Sequence, residues 1–182
     1  MGEWKTFKIG DLCESNVASY SAKDNWKFVN YLDTGNITGN VIDSIQYIDL
    51  TKEKLPSRAK RKVKRNSIVY STVRPNQRHY GIIKEQPENF LVSTGFAVLD
   101  IDESVADPDF IYYYLTQYEV VELLHAIAEQ SVSAYPSIKA SDIEDLELSL
   151  PDIETQRKIA SVLATIDGKV DLNTAINKNL AA

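Results

Sequence analysis

The sequence predicts an α+β fold, with a globular domain of short strands and helices over residues 1–150 and one long helix over residues 151–182. Two observations support this prediction. After Ile101 the apolar residues change from a period of about two to a period of about 3.6. No proline follows Pro151, so nothing interrupts a helix after that residue. With 43% hydrophobic and 25% charged residues, the 182-residue chain can form a hydrophobic core.

The first half of the chain predicts short strands separated by turns. The candidate segments are rich in β-branched and aromatic residues and are bounded by Gly, Pro, Asn or Asp. We predict strands over residues 27–31, 45–48, 68–72, 80–84 and 90–101, and a later one over 146–150. The segment TGNITGN at 34–40 has the composition of a turn, and its glycines match no phosphate-binding spacing.

Helices are predicted in the second half of the chain, each with a start signal. Asp107 is a candidate N-cap with Pro108 in the first helical position, and apolar residues recur at helical spacing over 111–128. Ser141 and Glu144 form a candidate capping box for a very short helix. Asp152 is the candidate cap of the long helix that follows Pro151.

The long helix carries the pattern of a coiled-coil seam. The heptad positions are occupied by Ile159, Leu163, Ile166, Val170, Asn173, Asn177 and Leu180. A helix of roughly 28 residues extends about 42 Å, further than a small domain covers on all sides, so we expect it to project and pair with another helix. The alternative is packing against its own domain, but asparagine at two seam positions is costly in a plain core and useful for fixing register.

Charge is strongly segregated along the chain. The formal net charge is −6, yet residues 51–84 contain eleven Lys or Arg and a single acid, Glu53, for a net charge of +10. The remaining residues therefore carry −16. This polarity predicts one positive face that binds a polyanion such as nucleic acid. A basic loop that is merely solvated is the alternative interpretation.

The sequence contains no recognisable catalytic motif. His79 and His125 are the only histidines and Cys13 is the only cysteine, so neither a His-rich nor a Cys/His metal site can be built. No GxSxG and no glycine-rich cofactor loop occurs. We therefore expect binding rather than catalysis, with no metal and no cofactor. A nuclease that uses Asp100 and Asp102 is the alternative.

The expected location is the cytoplasm, with no membrane partner. A lone thiol, Cys13, suits a reducing compartment better than secretion. The sequence shows no secretory apolar region, and no stretch approaches the roughly 18 apolar residues that a membrane span needs.

Three stretches together resemble one known family. They are LPSRAKRKVKRNSIVYSTVRPNQRHYGII at 55–83, FLVSTGFAVLDI at 90–101 followed by PDFIYYYL, and the segment 137–173, which runs from a strand into the long helix. This combination resembles the target-recognition domain and adjoining conserved helix of the specificity subunits of type I restriction-modification enzymes. Thr155 stands where the family usually has Glu, which leaves the helix start intact.

The resemblance implies a function and a set of partners. Such subunits read a DNA sequence for adenine methyltransferase and restriction/translocase subunits, and have no catalytic residues of their own. Those partners would bind S-adenosylmethionine, ATP and Mg²⁺. In the family, two recognition domains have helices that pack as an antiparallel coiled coil, so this chain resembles a half-length subunit that pairs with a second copy or a second specificity half. A decoy that binds the methyltransferase without reading DNA is the alternative.

The basic segment and one polar loop supply the main candidate contacts to double-stranded DNA. We assign the densely spaced cations to phosphates: Arg58, Lys60, Arg61, Lys62, Lys64 and Arg65. The loop at 74–80 is assigned to base edges, because arginine, asparagine and glutamine match the hydrogen-bonding patterns of guanine and adenine in the major groove. Its candidate contacts are Arg74, Asn76, Gln77, Arg78, His79 and Tyr80. A plain polar hairpin loop is the alternative.

Two further segments are candidate contacts. The polar loop at 129–137 returns the chain to the same end of the domain and is expected to line the other side of the DNA. Its polar residues are Gln130, Ser131, Ser133 and Tyr135. Tyr20, Lys23 and Trp26 form a third and weaker candidate, in which Trp26 has the residue type of a core position rather than of a contact.

Overall fold

The computed structural model describes residues 4–131 and 135–180, and within them it contains twelve strands and four α-helices. The strands are β1 (Lys5–Lys8), β2 (Cys13–Ser15), β3 (Phe28–Leu32), β4 (Ile37–Thr38), β5 (Val41–Ile42), β6 (Gln46–Asp49), β7 (Ala59–Arg61), β8 (Ile68–Ser71), β9 (Tyr80–Ile82), β10 (Phe90–Ser93), β11 (Phe96–Ile101) and β12 (Glu147–Leu150). The helices are α1 (Pro108–Leu115), α2 (Tyr118–Glu129), α3 (Ala140–Glu144) and α4 (Ile153–Leu180).

Two four-stranded sheets form the centre of the domain. The first has the order β2-β11-β8-β9 and is antiparallel throughout. The second has the order β6-β3-β10-β7, in which β3 and β10 are parallel and the other pairs antiparallel. Side chains from both sheets meet in one buried cluster, which includes Leu32, Val69, Phe90, Phe96 and Val98. The predicted mixed domain of short strands and helices is therefore confirmed.

Helices α1 and α2 cover the other face of the first sheet. Buried Ile111, Leu115 and Leu124 from these helices pack in one cluster with Ile68 and Leu99 from β8 and β11. The helical spacing predicted over 111–128 is correct, but the run is divided between two helices with a break at residues 116–117.

The predicted helix caps have mixed outcomes. Asp107 caps α1, because its Oδ1 accepts a hydrogen bond from the Phe110 N–H at 3.0 Å. Asp152 likewise accepts from the Thr155 N–H at 2.9 Å and α4 runs for 28 residues, so the long helix is confirmed. The predicted capping box at residues 141 and 144 is wrong. Helix α3 begins one residue before Ser141, and Asp142 accepts a hydrogen bond from the backbone N–H of Lys139 at 2.6 Å.

The single strand predicted over 90–101 is wrong. The chain turns at Thr94 and Gly95, so that β10 belongs to the second sheet and β11 to the first. Backbone hydrogen bonds fix this turn on both sides. Thr94 N–H donates to the Arg58 carbonyl at 2.8 Å, and Thr72 N–H donates to the Gly95 carbonyl at 2.8 Å.

Strands β1, β2 and β7 and the β4–β5 hairpin were not predicted from the sequence. Strand β1 pairs with β12 along its length, which joins the two ends of the globular domain. The division of the chain into 1–150 and 151–182 stays a prediction.

The β4–β5 hairpin is a two-residue turn that packs against β9. Gly39 and Asn40 both have positive φ, at 54° and 69°, as hairpins with such short loops require. The Asn40 side chain accepts a hydrogen bond from the Ile82 N–H at 2.8 Å. A Cβ on Gly81 would lie 2.5 Å from Ile37 Cδ1 and 2.8 Å from Asn40 Oδ1, so only glycine allows this close approach.

A buried glutamine connects α4 to the domain. Gln156 is 1% exposed, and its Oε1 accepts a hydrogen bond from the Asp107 N–H at 2.9 Å. Its Nε2 donates to the Pro151 carbonyl at 2.9 Å. One side chain thereby joins the start of α1, the end of β12 and the first turn of α4.

We expect Gln156→Ala to lower the free energy of unfolding by about 2 to 4 kcal/mol, because it leaves the buried Pro151 carbonyl and the partly buried Asp107 N–H without this partner. Urea denaturation checks this value. Gln46→Ala on the exposed edge strand β6 is the matched control and should change stability by no more than about 0.5 kcal/mol. Equal effects of the two changes would contradict the role of Gln156.

Gly81→Ala should destabilise the domain by about 1 to 3 kcal/mol, because the new methyl group forces the β4–β5 hairpin away from β9. Denaturation of the variant beside Gly35→Ala provides the test, since a Cβ on Gly35 meets no atom within 4 Å. A Gly81→Ala protein as stable as the Gly35→Ala control would show that the hairpin is not held by this contact.

Candidate nucleic-acid interface

Three segments meet at one end of the domain, which we call the loop end: the β8–β9 loop at 72–79, the β4–β5 hairpin and the chain at 135–138. Arg74 N–H donates to the Pro136 carbonyl at 3.0 Å, and Ile138 N–H donates to the Thr72 carbonyl at 2.8 Å. On the hairpin side, Gly39 N–H donates to the Arg78 carbonyl at 2.9 Å. The backbone itself therefore holds the two predicted polar loops side by side.

The β8–β9 loop exposes the side chains that were assigned to base edges. Arg74 and Arg78 have left-handed backbone conformations, with φ of 48° and 57°, on either side of a 3-10 turn at Pro75–Gln77. Pro75 is buried and anchors this turn to the domain. The exposed donors and acceptors are Arg74, Asn76, Gln77 and Arg78. These side chains carry several hydrogen-bonding groups directed away from the core.

Two residues of the predicted set have structural roles instead. Tyr80 is only 5% exposed, and its ring stacks on Tyr70 with 5.3 Å between centroids, so we withdraw Tyr80 from the candidate DNA contacts. Burial raises the pKa of Tyr80 above its ordinary value. His79 is half-buried, and its Nδ1–H donates to the Ile37 carbonyl at 2.7 Å, which ties the loop to the hairpin.

The second polar loop contributes an exposed aromatic residue beside the first. The Tyr135 ring lies 5.5 Å from the Arg74 guanidinium carbon, within cation–π range. Gln130 is exposed at the end of α2, whereas the Ser131 hydroxyl accepts a hydrogen bond from the Ser137 N–H at 3.4 Å. Ser133 lies outside the described residues.

The basic segment at 58–65 does not form one continuous positive face. Arg58 and Lys60 are exposed near the loop end. Arg61 is partly buried, and this burial lowers the pKa of its guanidinium. Lys62 forms an ion pair with Asp24, and its ammonium lies 5.2 Å from the centre of the Trp26 ring.

Lys64 and Arg65 precede the end of β8 that is opposite the loop end, and the four residues of this strand span about 13 Å. Lys64 Nζ is 3.8 Å from an Asp100 carboxylate oxygen. Arg65 Nη1 donates to the Lys84 carbonyl at 3.3 Å. Their surroundings include acidic side chains, so these two cations are poorly placed to contact DNA that lies on the loop end.

The third candidate group, Tyr20, Lys23 and Trp26, also contains both packed and exposed residues. Tyr20 and Trp26 lie with ring centroids 5.0 Å apart and pack against the core under β3 and β10. Only Lys23 of this group is exposed. Trp26 is therefore mainly a packing residue.

The predicted helix seam is also divided between two environments. Ile159 and Leu163 are half-buried and line a groove with Phe110 and Tyr114 of α1, so at these positions the alternative of packing on the same domain is correct. Beyond them, one exposed stripe of α4 contains Val162, Ile166, Val170 and Ile176; Ile166 is 52% and Val170 56% exposed. Asn173 and Asn177 are exposed, and the side chain of Leu180 lies outside the described residues.

The acids considered for a nuclease have other partners. Asp100 accepts a hydrogen bond from the Ser67 hydroxyl at 2.5 Å, and Asp102 accepts one from the Ser104 hydroxyl at 2.6 Å. Within residues 4–131 and 135–180, no group of three or more His, Cys, Asp or Glu is arranged to hold a metal ion. No helix in this described part of the chain is long and apolar enough to span a membrane.

The β4–β5 hairpin is the part of the loop end that sequence reasoning missed. Its signal was present, because the Gly39–Asn40 pair lies between two pairs of β-branched residues, Ile37–Thr38 and Val41–Ile42. A glycine–asparagine pair between two short β-forming segments is a known signature of a two-residue hairpin. The segment was interpreted only as a turn.

Comparisons with known proteins point to the same family as the resemblance in the sequence. The profile of the family described as type I restriction modification DNA specificity domain matches residues 1–182. The specificity subunit of the type I restriction enzyme HindI from Haemophilus influenzae is 32% identical over 183 residues, which cover 99% of this chain and 39% of that protein.

Solved structures share the fold. The HsdS subunit from Thermoanaerobacter tengcongensis has a TM-score of 0.77 at 21% identity, over 92% of this chain and 43% of that one. A chain from a structure of the assembly and conformational transition of a type I R-M system has a TM-score of 0.78 at 22% identity, over 94% of this chain and 44% of that one. The chain thus spans about two fifths of these relatives. It belongs to the family of type I restriction-modification DNA specificity domains.

Proposed function

We propose that this chain recognises a DNA sequence as a non-catalytic specificity component of a type I restriction-modification complex. One observation carries the proposal. Exposed Arg74, Asn76, Gln77 and Arg78 lie on a backbone-anchored loop at the same end of the domain as Tyr135. Such an array can make bidentate hydrogen bonds to guanine and adenine in the major groove. Membership of the family supplies the biological setting.

The charge distribution supports DNA that lies on the loop end. Lys60 is exposed on β7, whereas Lys62 and Lys64 are accompanied by Asp24 and Asp100. Exposed cations near the loops attract phosphates, and the acid-paired ones add little net potential elsewhere. We therefore assign Lys60 to a phosphate and withdraw Lys64 from that role.

The partners we propose are adenine methyltransferase subunits and a restriction/translocase subunit, which supply the chemistry. In this arrangement the chain binds no cofactor itself, and S-adenosylmethionine, ATP and Mg²⁺ are bound by the partners. The proposed location is the cytoplasm, where the DNA substrate lies.

We also propose that α4 pairs with another helix through its exposed stripe, in a coiled coil. A second copy of the chain, or a second specificity half, is the proposed partner. The stripe is apolar over a length that its own domain leaves uncovered, which supports this assignment. A twofold dimer would present two loop ends to a symmetric, split DNA site.

Selection from a random DNA duplex library tests the recognition function. The purified chain should enrich one sequence, and anisotropy titrations should then show tighter binding to that sequence than to random duplex. Enrichment of no sequence, together with retained binding to a methyltransferase subunit, would favour the decoy alternative. DNA cleavage that requires Asp100 would overturn the non-catalytic assignment.

Gln77→Ala should lower affinity for the selected sequence by roughly 1 to 3 kcal/mol and leave binding to random duplex nearly unchanged, because a base contact is lost. Lys60→Ala should instead weaken binding to both duplexes alike, and flatten the slope of log affinity against log salt by roughly 0.9. Gln77 is chosen over Arg78 because alanine is strained at the positive φ of Arg78. Identical behaviour of the two variants would contradict this division of contacts.

Ile166→Glu should yield a folded monomer, because a charge at an apolar helix interface is costly when buried without a partner. Leu163 is unsuitable for this test, since it packs on the chain's own domain. Sedimentation velocity over a concentration series measures the mass, with Ala164→Glu as a control at an exposed position outside the stripe. A wild-type protein that is already monomeric would contradict pairing with a second copy and leave a second specificity half as the proposed partner.

A further inference from the structure

The turn between β10 and β11 holds Arg58 in a defined position at the loop end. The Arg58 carbonyl accepts a hydrogen bond from the Thr94 N–H at 2.8 Å, so its backbone is fixed to the turn. The Gly95 carbonyl in turn accepts hydrogen bonds from the N–H and the hydroxyl of Thr72, at 2.8 and 2.9 Å. Thr72 begins the loop that carries Arg74. Arg58 and the β8–β9 loop are therefore attached to the same two residues.

The guanidinium of Arg58 lies against Gly95. A Cβ on Gly95 would be 2.8 Å from Arg58 Nη2 and 2.9 Å from the methyl carbon of Thr34. Because Gly95 has no side chain, the end of Arg58 rests on the turn instead of extending freely into solvent. The contact leaves Arg58 exposed while restricting its orientation.

A carboxylate near this contact gives the guanidinium a counter-charge. Burial opposes ionisation of Asp33, but hydrogen bonds from the Thr34 N–H and from the Ser93 and Tyr31 hydroxyls, and the charge of Arg58, hold the pKa of Asp33 below its ordinary value. The Thr34 N–H lies 2.8 Å from Asp33 Oδ1. Asp33 is therefore held as an anion mainly by its hydrogen bonds, and its attraction to the Arg58 charge is the smallest of these influences.

We propose that Arg58 is a specificity-determining residue that hydrogen-bonds a base edge, and that Gly95 is the residue that positions it. This inference rests on the proposed function, and it moves Arg58 from the phosphate-binding set to the base-reading set. The most suitable base is guanine, whose O6 and N7 accept both N–H groups of a guanidinium.

The geometry favours a base contact over a phosphate contact. A phosphate contact needs only an accessible cation, the role proposed for exposed Lys60, because a phosphate accepts hydrogen bonds from many directions. A bidentate contact to guanine requires a planar group in one orientation, which a side chain held by its surroundings supplies at lower entropic cost. The turn at Thr94 and Gly95 gives Arg58 this support.

The experiment compares three variants of the full chain: Arg58→Lys, Gly95→Ala and Lys60→Ala. Arg58→Lys keeps the charge and removes the planar fork. Gly95→Ala keeps every charge and displaces the guanidinium; the atoms that its new methyl group meets are ends of side chains, which can move. Each variant is titrated against the library-selected duplex, against its single base-pair variants and against random duplex, and its folding is checked by circular dichroism.

We expect Arg58→Lys and Gly95→Ala to lose about tenfold discrimination at one and the same base pair, with nearly unchanged binding to random duplex. Lys60→Ala should keep its discrimination at that base pair. Uniform loss on all duplexes for Arg58→Lys, or full discrimination in both Arg58→Lys and Gly95→Ala, would overturn the base-reading role of Arg58. Loss in Arg58→Lys alone would overturn the positioning role of Gly95. A wild-type chain that selects no sequence would overturn the proposed function itself, and so is distinguished from these results.

Discussion

The turn at Thr94 and Gly95 is the constraint on which the loop end depends. It carries the chain from β10 in the second sheet to β11 in the first, so a turn of two residues connects the two sheets here. The same turn accepts a hydrogen bond from Thr72 on one side and donates one to the Arg58 carbonyl on the other. A shift of the two sheets relative to each other would therefore separate the β8–β9 loop from the basic segment. Backbone hydrogen bonds therefore hold together the surface proposed to read DNA at the place where the two sheets meet.

The second constraint fixes the direction in which α4 leaves the domain. Gln156 forms hydrogen bonds with the Pro151 carbonyl, just before α4, and with the Asp107 N–H, just before α1. Three turns further along α4, Asp167 accepts a hydrogen bond from the Tyr113 hydroxyl of α1 at 2.9 Å. The first half of the helix is thus fastened to α1 at two separate points. If α4 pairs with another helix, the angle between the two loop ends is set by these contacts and not by a flexible linker. Spacing between the two parts of a split DNA site would follow from this rigidity.

The sequence allowed the prediction of features whose causes are local. The caps at Asp107 and Asp152 need only one side chain and the next turn, and both were predicted correctly. The break at Thr94 was missed although Gly95 interrupts the strand composition of residues 90–101, because an isolated glycine also fits a bulge within one strand. The turn itself is stabilised by Arg58 and Thr72, which are distant in sequence. The burial of Tyr80 was missed for a similar reason: the polar residues at 76–78 are exposed, whereas strand β9 directs the Tyr80 ring into the core.

The charge distribution was also only partly predictable, because the sequence gives the number of cations but not the acids that lie beside them in the fold. Residues 58–65 pass along the domain from the loop end to the far end, and the acids that accompany Lys62 and Lys64 come from distant parts of the chain, Asp24 and Asp100. The run of positive charge is thereby reduced beyond Lys60. Phosphates are attracted most strongly where the cations are not paired with acids, so in the proposed function this difference in charge would direct a duplex towards the loops. The acids beside Lys62 and Lys64 would then help to set the orientation of the duplex, together with the exposed cations near the loop end.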